Sequence, residues 1–494
     1  MTVYLTLSDL LPDQFSNKLT DNLKIYGIST DSRNVKHGDI FFALSGSKVN
    51  GSDFIIDAVN QGASVVVTDA NNYSINIPNE VYHIKLENIR KFLSIAAANF
   101  YRNQPENIVA VTGTNGKSSV VHFCREIWQK LNHNAVSIGT LGVMGDIDLE
   151  KSSITSSLTT PDTIFMHKLL AELVKQKVNY VALEASSHGL QQYRIDNIKI
   201  KAAAFTSFSR DHLDYHFTLE NYLQAKTRLF TEVMASGNQV VLNSDIAEFL
   251  LLKELALKAG HHVIDYGKSA KSIKLLSLKT DVNKQYFSFK FNNRIYDVTT
   301  SLIGDFQVYN ILCALGLIIS LGEDINNIVK VIDKLKPVPG RMEKVEIPLD
   351  KNQAIIVDYA HTPDALFNAL NSLRSLCKGK LKVLFGCGGN RDQGKRAEMG
   401  RIANQYADEV VITDDNPRFE SDDKIRNDIM VACKKAVEIA GREQAIEYAI
   451  KNMKAHDILL IAGKGHEKVQ IICDKQIKFD DIEIAKNLVY KYLI

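Results

Sequence analysis

Compact apolar runs alternate with stretches of helical spacing through the middle of the chain. The runs occupy residues 108–112, 180–183, 202–205 and 239–242. After the first run, apolar residues recur at positions 120, 121, 123, 124, 127, 128 and 131, a spacing typical of a helix. Residues 164–174 show helical spacing as well. Strands that alternate with helices in this way predict an α/β fold with a mostly parallel sheet.

The same alternation extends towards both ends of the sequence. Further strands are expected at 40–44, 64–68, 81–86, 355–357, 382–385, 410–413 and 458–462, with a helix at 54–61. Residues 276–297 are typical of a β-hairpin that turns at Asn292 and Asn293. A buried helix follows near 311–321, and Pro337, Pro339 and Gly340 then interrupt the pattern. We expect about three domains, at 1–88, 89–336 and 337–494.

Composition narrows the class of protein. The chain of 494 residues is 45% hydrophobic and 23% charged with a net charge of +2, which is ordinary for a folded protein and favours neither nucleic acid nor membrane binding. The apolar run at 311–321 is too short to span a bilayer, and the N-terminal residues do not have the pattern of a signal peptide. Six scattered cysteines without a Cys-x-x-Cys pair indicate neither a disulfide framework nor a zinc site, so a reducing cytoplasm is expected.

A tight polar loop joins the strand at 108–112 to the helix after it. Its residues are Gly113, Thr114, Asn115, Gly116, Lys117, Ser118 and Ser119. Strand, glycine-bearing loop and helix form the layout of a phosphate-binding loop, in which backbone N–H groups and the positive helix end meet phosphates. Lys117 adds a charge, and the Ser118 hydroxyl is placed to hold Mg²⁺. Val111 stands where such loops usually carry another glycine, so an ordinary strand-turn-helix junction is the alternative.

Polar clusters follow two other strands of the middle section. Residues 184–190 begin with Glu184, and residues 209–216 contain His212. Ligands of parallel sheets bind beyond the carboxyl ends of the strands, so both clusters are expected to face the phosphate loop, with Glu184 and His212 as Mg²⁺ ligands. Helix capping and turn formation are the alternative. Taken alone, Lys226 is predicted to be a solvated lysine on a helix.

The last section places four charged or glycine-rich loops after four strands, at 358–363, 386–392, 414–418 and 463–467. These loops predict a second binding domain that faces the first across a cleft, with a purely structural sheet as the alternative. Near the N-terminus, the loops at 29–33 and 45–51 could bind a polar ligand, although local composition favours surface turns.

Taken together, these motifs resemble those of the Mur ligases. The resemblance rests on residues 113–118, 184–190, 209–216, 358–361 and 415–418. It implies three α/β domains: a small N-terminal UDP-binding domain, a central P-loop-type ATPase domain and a C-terminal Rossmann-like domain for an amino acid. It also implies ATP-dependent amide formation, in which a substrate carboxylate becomes an acyl phosphate that an amine then attacks. Lys117 and Mg²⁺ would neutralise the anions that must meet.

The resemblance also implies nucleotide and metal contacts. Residues 113–119, Asn310, Arg341 and Asp358 would contact ATP. The implied Mg²⁺ ligands are Ser118, Glu184, His212 and Lys226, and the implied catalytic residues are Lys117, Lys226, His212 and Glu184. In the family, the lysine that matches Lys226 is carbamylated to N6-carboxylysine, which turns a cation into a carboxylate-like ligand. That modification requires a neutral amine and therefore a desolvated lysine.

The implied substrates are UDP-N-acetylmuramoyl-L-alanyl-D-glutamate and meso-2,6-diaminopimelate. The UDP end would contact Thr30, Ser32, Ser47, Lys48 and Val49, and the muramoyl-dipeptide Leu158, Thr159, Thr160, Ser186, Gln192 and Arg194. The amino acid would contact Arg391, Asp415, Asn416, Pro417, Arg418, Gly463 and Glu467. Leu158, Ser207, Phe208, Phe217 and Gln307 depart from the family pattern, and we expect altered detail rather than lost activity.

Arg418 is expected to determine which amino acid is added. Diaminopimelate has a distal carboxylate that lysine lacks, and a guanidinium can hold it with two parallel hydrogen bonds. Family members that add lysine typically carry a residue other than arginine here. The alternatives are a loop arginine that points to water, a lysine-adding ligase, a folylpolyglutamate synthetase, or a P-loop regulator without covalent chemistry. We expect a monomeric cytoplasmic ligase without nucleic-acid partners or membrane insertion.

Overall fold

Three parallel or mostly parallel sheets, each with its own core, form the molecule. The computed structural model describes residues 4–11, 22–46, 49–70, 77–147, 158–280, 284–347 and 353–492. Among these residues, no helix combines the length and apolar character needed to cross a membrane.

The N-terminal unit is a parallel sheet of four strands with helices packed on it. A short antiparallel pair precedes it, β1 (Leu5–Thr6) with β2 (Lys24–Ile25). The sheet order is β3 (Ile28–Ser29), β4 (Ile40–Phe42), β5 (Val65–Asp69) and β6 (Tyr82–Leu86). The helices are α1 (Leu7–Leu10), α2 (Ile55–Asn60) and α3 (Ile89–Tyr101). The predicted strands and helix of this section are therefore present.

Helix α3 lies at the expected boundary between the first two domains. Its buried residues Ile89, Leu93 and Ala96 pack in the same apolar cluster as Leu7 and Leu10 of α1. The boundary expected at residue 88 stays a prediction, and this packing favours extending the first unit to Tyr101.

The central unit is a sheet of ten strands. Its strands are β7 (Asn107–Thr112), β8 (Ala135–Gly139), β9 (Gly142–Gly145), β10 (Tyr180–Glu184), β11 (Ile200–Phe205), β12 (Gln239–Asn243), β13 (His262–Gly267), β14 (Ile273–Thr280), β15 (Gln285–Phe291) and β16 (Arg294–Thr300). The order is β16-β15-β14-β13-β12-β11-β7-β10-β8-β9, with antiparallel pairs only at its two ends. The phosphate-loop strand β7 therefore lies between β10 and β11, the strands that precede the two polar clusters.

Helices cover both faces of the central sheet. They are α4 (Lys117–Lys130), α5 (Thr163–Lys175), α6 (Ser187–Gln191), α7 (Leu213–His216), α8 (Leu219–Arg228), α9 (Phe249–Lys258), α10 (Asp305–Ser320) and α11 (Ile325–Ile332). Residues of α4, α10 and α11 fill one core cluster, and residues of α5 and α9 fill the other. The apolar helix predicted near 311–321 is α10. The expected hairpin is part of a meander, since β14 pairs with β15 and Asn292 and Asn293, at φ 46° and 62°, turn the chain into β16.

The C-terminal unit has a sheet of six strands. They are β17 (Glu343–Lys344), β18 (Ala354–Asp358), β19 (Leu381–Phe385), β20 (Glu409–Ile412), β21 (Val437–Glu438) and β22 (Ile458–Ala462), in the order β17-β18-β22-β19-β20-β21. A hairpin, β23 (Val469–Ile472) with β24 (Lys475–Lys478), stands apart. The helices are α12 (Pro363–Arg374), α13 (Lys395–Tyr406), α14 (Asp422–Met430), α15 (Arg442–Lys451) and α16 (Asp481–Tyr492). All four strands predicted here are present and run parallel to one another, so their charged loops share one edge; the short edge strand β17 is antiparallel to β18.

Candidate active site

The loop between β7 and α4 has the backbone shape that phosphate binding requires. Gly113 and Gly116 adopt φ values of 138° and 88°, a region that other residues rarely enter. A Cβ at Gly113 would lie 2.0 Å from Oγ1 of Thr206. Helix α4 begins at Lys117, so the last three residues of the predicted loop form its first turn, and its free N–H groups lie at the loop. The predicted strand-loop-helix layout is therefore present.

Two lysines converge on one carbonyl of this loop. Nζ of Lys117 donates to the carbonyl oxygens of Gly113 and Thr114, each at 2.8 Å. Nζ of Lys226, on α8, also donates to the carbonyl oxygen of Gly113 at 2.8 Å. Lys226 is 1% exposed, so its prediction as a solvated helix lysine is wrong. Tertiary packing of α8 against the loop buries it, which the local sequence does not reveal.

The environment of Lys226 favours its uncharged form. Burial, followed by the charge of Lys117, holds the pKa of Lys226 well below its ordinary value. Its Nζ also lies 4.4 Å from the ring centre of Tyr222. A neutral amine next to the phosphate loop meets the chemical condition for carbamylation.

Glu184 ends β10 beside the phosphate loop. It is 1% exposed, and its carboxylate accepts hydrogen bonds from the backbone N–H of Thr140 at 2.8 Å and from the Thr140 hydroxyl at 3.1 Å. The charge of Glu184 reaches Lys117, where it opposes the lowering of the pKa by burial. The structure thus brings Glu184 to the loop as expected.

Asp211 joins the central and C-terminal domains, and the sequence had assigned it no role. Its carboxylate lies 3.4 Å from Nε2 of His212, 3.8 Å from Nε2 of His361 and 3.9 Å from Nζ of Lys395. Burial opposes ionisation, yet His212, Lys395 and His361 hold the pKa of Asp211 below its usual range. Burial lowers the pKa of His212, although the charge of Asp211 opposes this shift.

Further contacts place the C-terminal domain directly against the phosphate loop. Nδ2 of Asn115 donates to Oδ2 of Asp364 at 2.8 Å, and Nη2 of Arg341 donates to Oγ of Ser118 at 3.3 Å. Nε of Arg210 donates to Oδ2 of Asp392 at 3.1 Å. The predicted arrangement of two domains that face each other across a cleft is therefore present.

A cavity of about 490 Å³ lies in this cleft. From the central domain it is lined by Thr140, Leu158, Thr159, Ser186, His188, Arg194, Asp211, His212 and Asp214. From the C-terminal domain it is lined by Tyr359, His361, Gly386, Cys387, Gly388, Arg391, Asp392, Lys395, Asp415, Asn416, Arg418, Gly463, His466 and Glu467. Most side chains predicted for the dipeptide and the amino acid therefore meet in one space.

Arg418 occupies the C-terminal wall of the cavity. Its Nη1 donates to the carbonyl oxygens of Gly389 at 2.9 Å and Asn416 at 3.4 Å, and its backbone sits at φ 54°. Burial lowers the pKa of this guanidinium, and it lines the cavity, which argues against a loop arginine that points to water. Pro417 lies between Asn416 and Arg418 in the same turn, but it does not line the cavity.

The residues predicted to contact the dipeptide form a connected network. The Thr160 hydroxyl donates to the carbonyl oxygen of Glu184 at 2.7 Å, and its oxygen lies 2.9 Å from Oγ of Ser186. Arg194 donates to the carbonyl oxygen of Thr160 and to Oε1 of Gln192, each at 2.7 Å. The hydroxyl oxygens of Thr140 and Thr159 lie 3.1 Å apart, which joins Thr159 to the same wall.

The predicted UDP contacts that the structure describes, Thr30, Ser32 and Val49, do not line this cavity. Ser32 is buried at the start of a short 3₁₀ helix, Thr30 precedes it, and Val49 is 61% exposed. Ser47 and Lys48 lie outside the described residues. Among the described residues that line the cavity, none comes from the N-terminal unit.

Asn310 and Arg341, which are predicted to contact ATP, both lie next to the phosphate loop. A Cβ at Gly116 would lie 2.6 Å from Oδ1 of Asn310, whose Nδ2 donates to Oε1 of Gln307 at 3.0 Å. Arg341 lies over the ring of Tyr359 at 4.3 Å. Oδ2 of Asp358 accepts a hydrogen bond from the backbone of Met342 at 2.6 Å, and burial raises the pKa of Asp358 to about 6.

Two departures from the family pattern have structural explanations. The hydroxyl of Ser207 accepts a hydrogen bond from the Asn115 N–H at 2.9 Å, so it supports the phosphate loop. Gln307 supplies the acceptor for Asn310. Phe217 is 80% exposed at φ 66°, and nothing in the structure explains the choice of phenylalanine there.

Sequence reasoning assigned no role to several residues of the cavity wall. These are Thr140, His188, Asp211, His361, Asp392, Lys395 and His466. His188, Asp211, His361, Asp392 and His466 lie within the singled-out clusters, so position in a strand-end loop was a usable signal. Thr140 and Lys395 lie outside those clusters, and Lys395 opens α13 directly after one of them.

The donor set fits a cation that phosphates help to hold. Ser118, Glu184 and His212 lie around the phosphate loop, but among the described residues no three His, Cys, Asp or Glu side chains are grouped closely enough to hold a metal ion by themselves. Mg²⁺ usually binds through one or two carboxylates together with substrate phosphates and water. The residues present therefore suit Mg²⁺ when a nucleotide supplies the remaining ligands.

Comparison with known sequences accounts for all three units. The chain matches the Mur ligase family catalytic domain over residues 24–101, the Mur ligase middle domain over 111–318 and the Mur ligase glutamate ligase domain over 340–465. A protein of Rickettsia typhi named UDP-N-acetylmuramoyl-L-alanyl-D-glutamate–2,6-diaminopimelate ligase is 43% identical over 480 residues, covering 96% of this chain and 95% of its own. The chain belongs to the Mur ligase family. The predictions of the family, of a three-domain α/β fold and of an amide-forming ligase are therefore confirmed.

Other relatives and solved structures align with this Mur ligase over nearly their full length. A protein of the same name from Zymomonas mobilis is 43% identical over 470 residues, covering 94% of this chain and 95% of its own. A solved structure of a ligase with that name superposes with a TM-score of 0.70 at 30% identity and covers 100% of both chains. A MurF ligase from Thermotoga maritima in complex with ADP gives a TM-score of 0.62 at 18% identity, covering 94% and 97%, and shares the fold.

Proposed function

We propose that this Mur ligase uses ATP to join meso-2,6-diaminopimelate to UDP-N-acetylmuramoyl-L-alanyl-D-glutamate. The observation that carries the proposal is Arg418 in the wall of the cleft that faces the phosphate loop. Relatives at 43% identity over 96% of the chain bear the name of the diaminopimelate-adding ligase, which disfavours the lysine-adding alternative. The reaction is a step in peptidoglycan precursor synthesis.

The phosphate loop prepares the first step. Its N–H groups and Lys117 hold and neutralise the phosphates, so that the anionic carboxylate of the dipeptide can approach the terminal phosphorus. The O–P bond that forms gives an acyl phosphate, and the bond to the ADP oxygen breaks. Mg²⁺ held by Ser118, Glu184, His212 and a carbamylated Lys226 would supply further neutralisation of charge.

Carbamylation of Lys226 follows from its burial. The ammonium first loses a proton, and the neutral amine then forms an N–C bond to carbon dioxide and loses a second proton, so that an anion replaces a cation. Because burial lowers the pKa of Lys226, the neutral amine is more available than that of an exposed lysine. The change also removes the repulsion between Lys226 and Lys117 at the carbonyl oxygen of Gly113.

The C-terminal wall of the cavity would hold the amino acid for the second step, in which its amine attacks the acyl phosphate. Asp415, Asn416 and Glu467 surround the place where the ammonium groups of the amino acid would lie, and Arg418 would hold its distal carboxylate. With lysine in the site, Arg418 would face an ammonium without a partner, and a site built around a buried polar contact strongly rejects a ligand that lacks it.

Side-by-side turnover with meso-diaminopimelate and L-lysine tests the proposal. Phosphate release should require both the UDP-linked dipeptide and the amino acid, and diaminopimelate should be preferred by several orders of magnitude. Equal use of lysine, or phosphate release without either substrate, would overturn it. A monomeric state and a cytoplasmic location complete the proposal, and gel filtration with light scattering tests the first of these.

A further inference from the structure

Lys464 is completely buried in the turn that follows β22, although the cavity is only a few residues away. Its Nζ donates to Oδ1 of Asn416 at 3.0 Å, to Oε2 of Glu467 at 3.2 Å and to the carbonyl oxygen of Val469 at 2.7 Å. An ammonium group has three N–H donors, so these contacts use its full capacity. Lys464 itself does not line the cavity, whereas Asn416 and Glu467 do.

The contact with Lys464 decides which way the Asn416 amide points. Oδ1 of Asn416 accepts from Lys464 and from the backbone N–H of Ile471 at 2.9 Å. The NH₂ group must therefore be on the opposite side, where Nδ2 donates to Oε2 of Glu467 at 2.8 Å. Without the ammonium, the amide would lose one of the two donors that define its orientation.

The same ammonium holds one oxygen of Glu467. Oε2 of Glu467 receives both Lys464 and Asn416, while Oε1 has no hydrogen bond to any part of the chain that the structure describes. The carboxylate is thus anchored through one oxygen and can offer the other to a ligand in the cavity. Such preorganisation is what a binding site for an ammonium group requires.

We propose that Lys464 is a positioning residue for the incoming amino acid, acting through Glu467 and Asn416 rather than by touching the substrate. This inference rests on the proposed function, because it assigns the ammonium of the amino acid to the free oxygen of Glu467. The carboxylate of Glu467, whose side chain is 29% exposed, also balances the charge of the fully buried Lys464, so the ammonium is not left unpaired when the site is empty.

The test compares Lys464→Met with Lys382→Met. Lys382 is also buried in the C-terminal domain, where its Nζ bonds Oε2 of Glu409 at 2.5 Å and the carbonyl oxygen of Asn452 at 2.8 Å, away from the cavity. Both variants remove a buried ammonium of one domain, so they are matched for loss of stability. Lys464→Gln is a second variant, because its amide keeps N–H donors for the orphaned acceptors.

We expect Lys464→Met to raise the KM for meso-diaminopimelate by about tenfold to a hundredfold, the range for a lost hydrogen bond to a charged group. The KM values for ATP and for the UDP-linked dipeptide should stay within about twofold of wild type, because those sites do not contact Lys464. Lys464→Gln should give an intermediate KM, and Lys382→Met should leave the KM for diaminopimelate unchanged.

A double-mutant cycle with Glu467→Gln identifies the route of the effect. If Lys464 acts through Glu467, adding Lys464→Met to Glu467→Gln should raise the KM further by much less than it does in the wild type. If the two substitutions of the cycle raise the KM independently, so that their effects multiply, the inference is overturned. It is also overturned if the KM of Lys464→Met for diaminopimelate lies within about threefold of the KM of Lys382→Met. Failure of the wild-type enzyme to use diaminopimelate would instead overturn the proposed function.

Discussion

Lys117 and Lys226 donate hydrogen bonds to the same carbonyl oxygen, that of Gly113, and each bond is 2.8 Å long. Two ammonium groups that share an acceptor repel each other, and the burial of both strengthens the effect. The pKa of each lysine is lowered, with burial as the main cause. Of the two lysines, Lys226 is therefore the side chain that is most easily converted to a carbamate.

Lys226→Ala should lower kcat by about a hundredfold to a thousandfold, the usual range for loss of one group that stabilises charge in a transition state. Short carboxylates such as formate or acetate should restore part of the activity, because they can occupy the space of the carbamate. Bicarbonate labelled with ¹³C should give a carbamate resonance in the wild type alone. Lys258→Ala, an exposed lysine on α9 paired with Glu254, is the control. A variant that no carboxylate rescues, together with a missing resonance, would contradict carbamylation.

Arg418→Ala should raise the KM for meso-diaminopimelate by about tenfold to a hundredfold, because a charge-assisted hydrogen bond is lost. The KM for ATP should change by less than about twofold, since Arg418 contacts the carbonyls of Gly389 and Asn416 and not the phosphate loop. Steady-state kinetics in each substrate measure both. Arg401→Ala removes an exposed arginine of α13 in the same domain and should change neither. An equal rise in the KM for ATP and in the KM for diaminopimelate would refute the role of Arg418.

The contact between Arg210 and Asp392 should help to hold the cleft closed. Nε of Arg210 lies 3.1 Å from Oδ2 of Asp392, and the arginine side chain is 44% exposed, so a coupling of about 0.2–1 kcal/mol is expected. Arg210→Gln and Asp392→Asn should each lower kcat/KM for the amino acid by about twofold to fivefold, and the double variant should be no worse than either. Asn at 392 keeps an acceptor for the Gly394 N–H. Independent losses that multiply would show that the pair does not act as a unit.

Asp358 should make the protein less stable as the pH rises from acid towards neutrality. Burial raises its pKa from 3.8 to about 6, so the folded state keeps a proton that the unfolded state has lost across this interval. Stability linked to this group is therefore present below pH 3.8, falls as the pH rises to about 6, and is then lower by about 3 kcal/mol. Asp358→Asn should reduce this decline.

Urea unfolding at pH 4 and pH 7 measures the effect at Asp358. The free energy of unfolding of Asp358→Asn, relative to wild type, should increase by about 2 kcal/mol between the two pH values, because part of the effect is already lost at pH 4. Asp474→Asn, at an exposed turn between β23 and β24, should show no such change. A difference between Asp358→Asn and wild type that does not depend on pH would contradict the buried, protonated carboxyl.

Local pattern was enough to place most of the elements and the loops that carry polar groups. The run at 108–112 became β7, the spacing after it became α4, and four strands of the last section end where their apolar runs end. Such periodicities depend on neighbours within a few residues, so the sequence shows them directly. A third strand, β14, extends the expected hairpin into a meander, because its pairing partner β15 lies in the same segment of the chain.

Other features of the site depend on residues far apart in the chain. The sequence around Lys226 is that of an ordinary helix, and only the packing of α8 against the phosphate loop, 113 positions earlier, buries its amine. Asp211 meets Lys395, which lies 184 positions later in the sequence, and no local pattern encodes that contact. The hydrogen bonds of the Lys464 ammonium likewise form only because the turn after β22, the 414–418 loop and β23 meet in space.

By itself the sequence determined the alternation of strands and helices, the edge of each sheet at which the chemistry lies, and the kinship of its motifs. Those properties follow from side-chain spacing and from the fact that parallel strands end at a common edge. The tertiary structure decided which charged groups face each other and which lose their contact with water. Burial and charge pairing act over a few ångströms in space, and the separation of residues along the chain does not fix that distance.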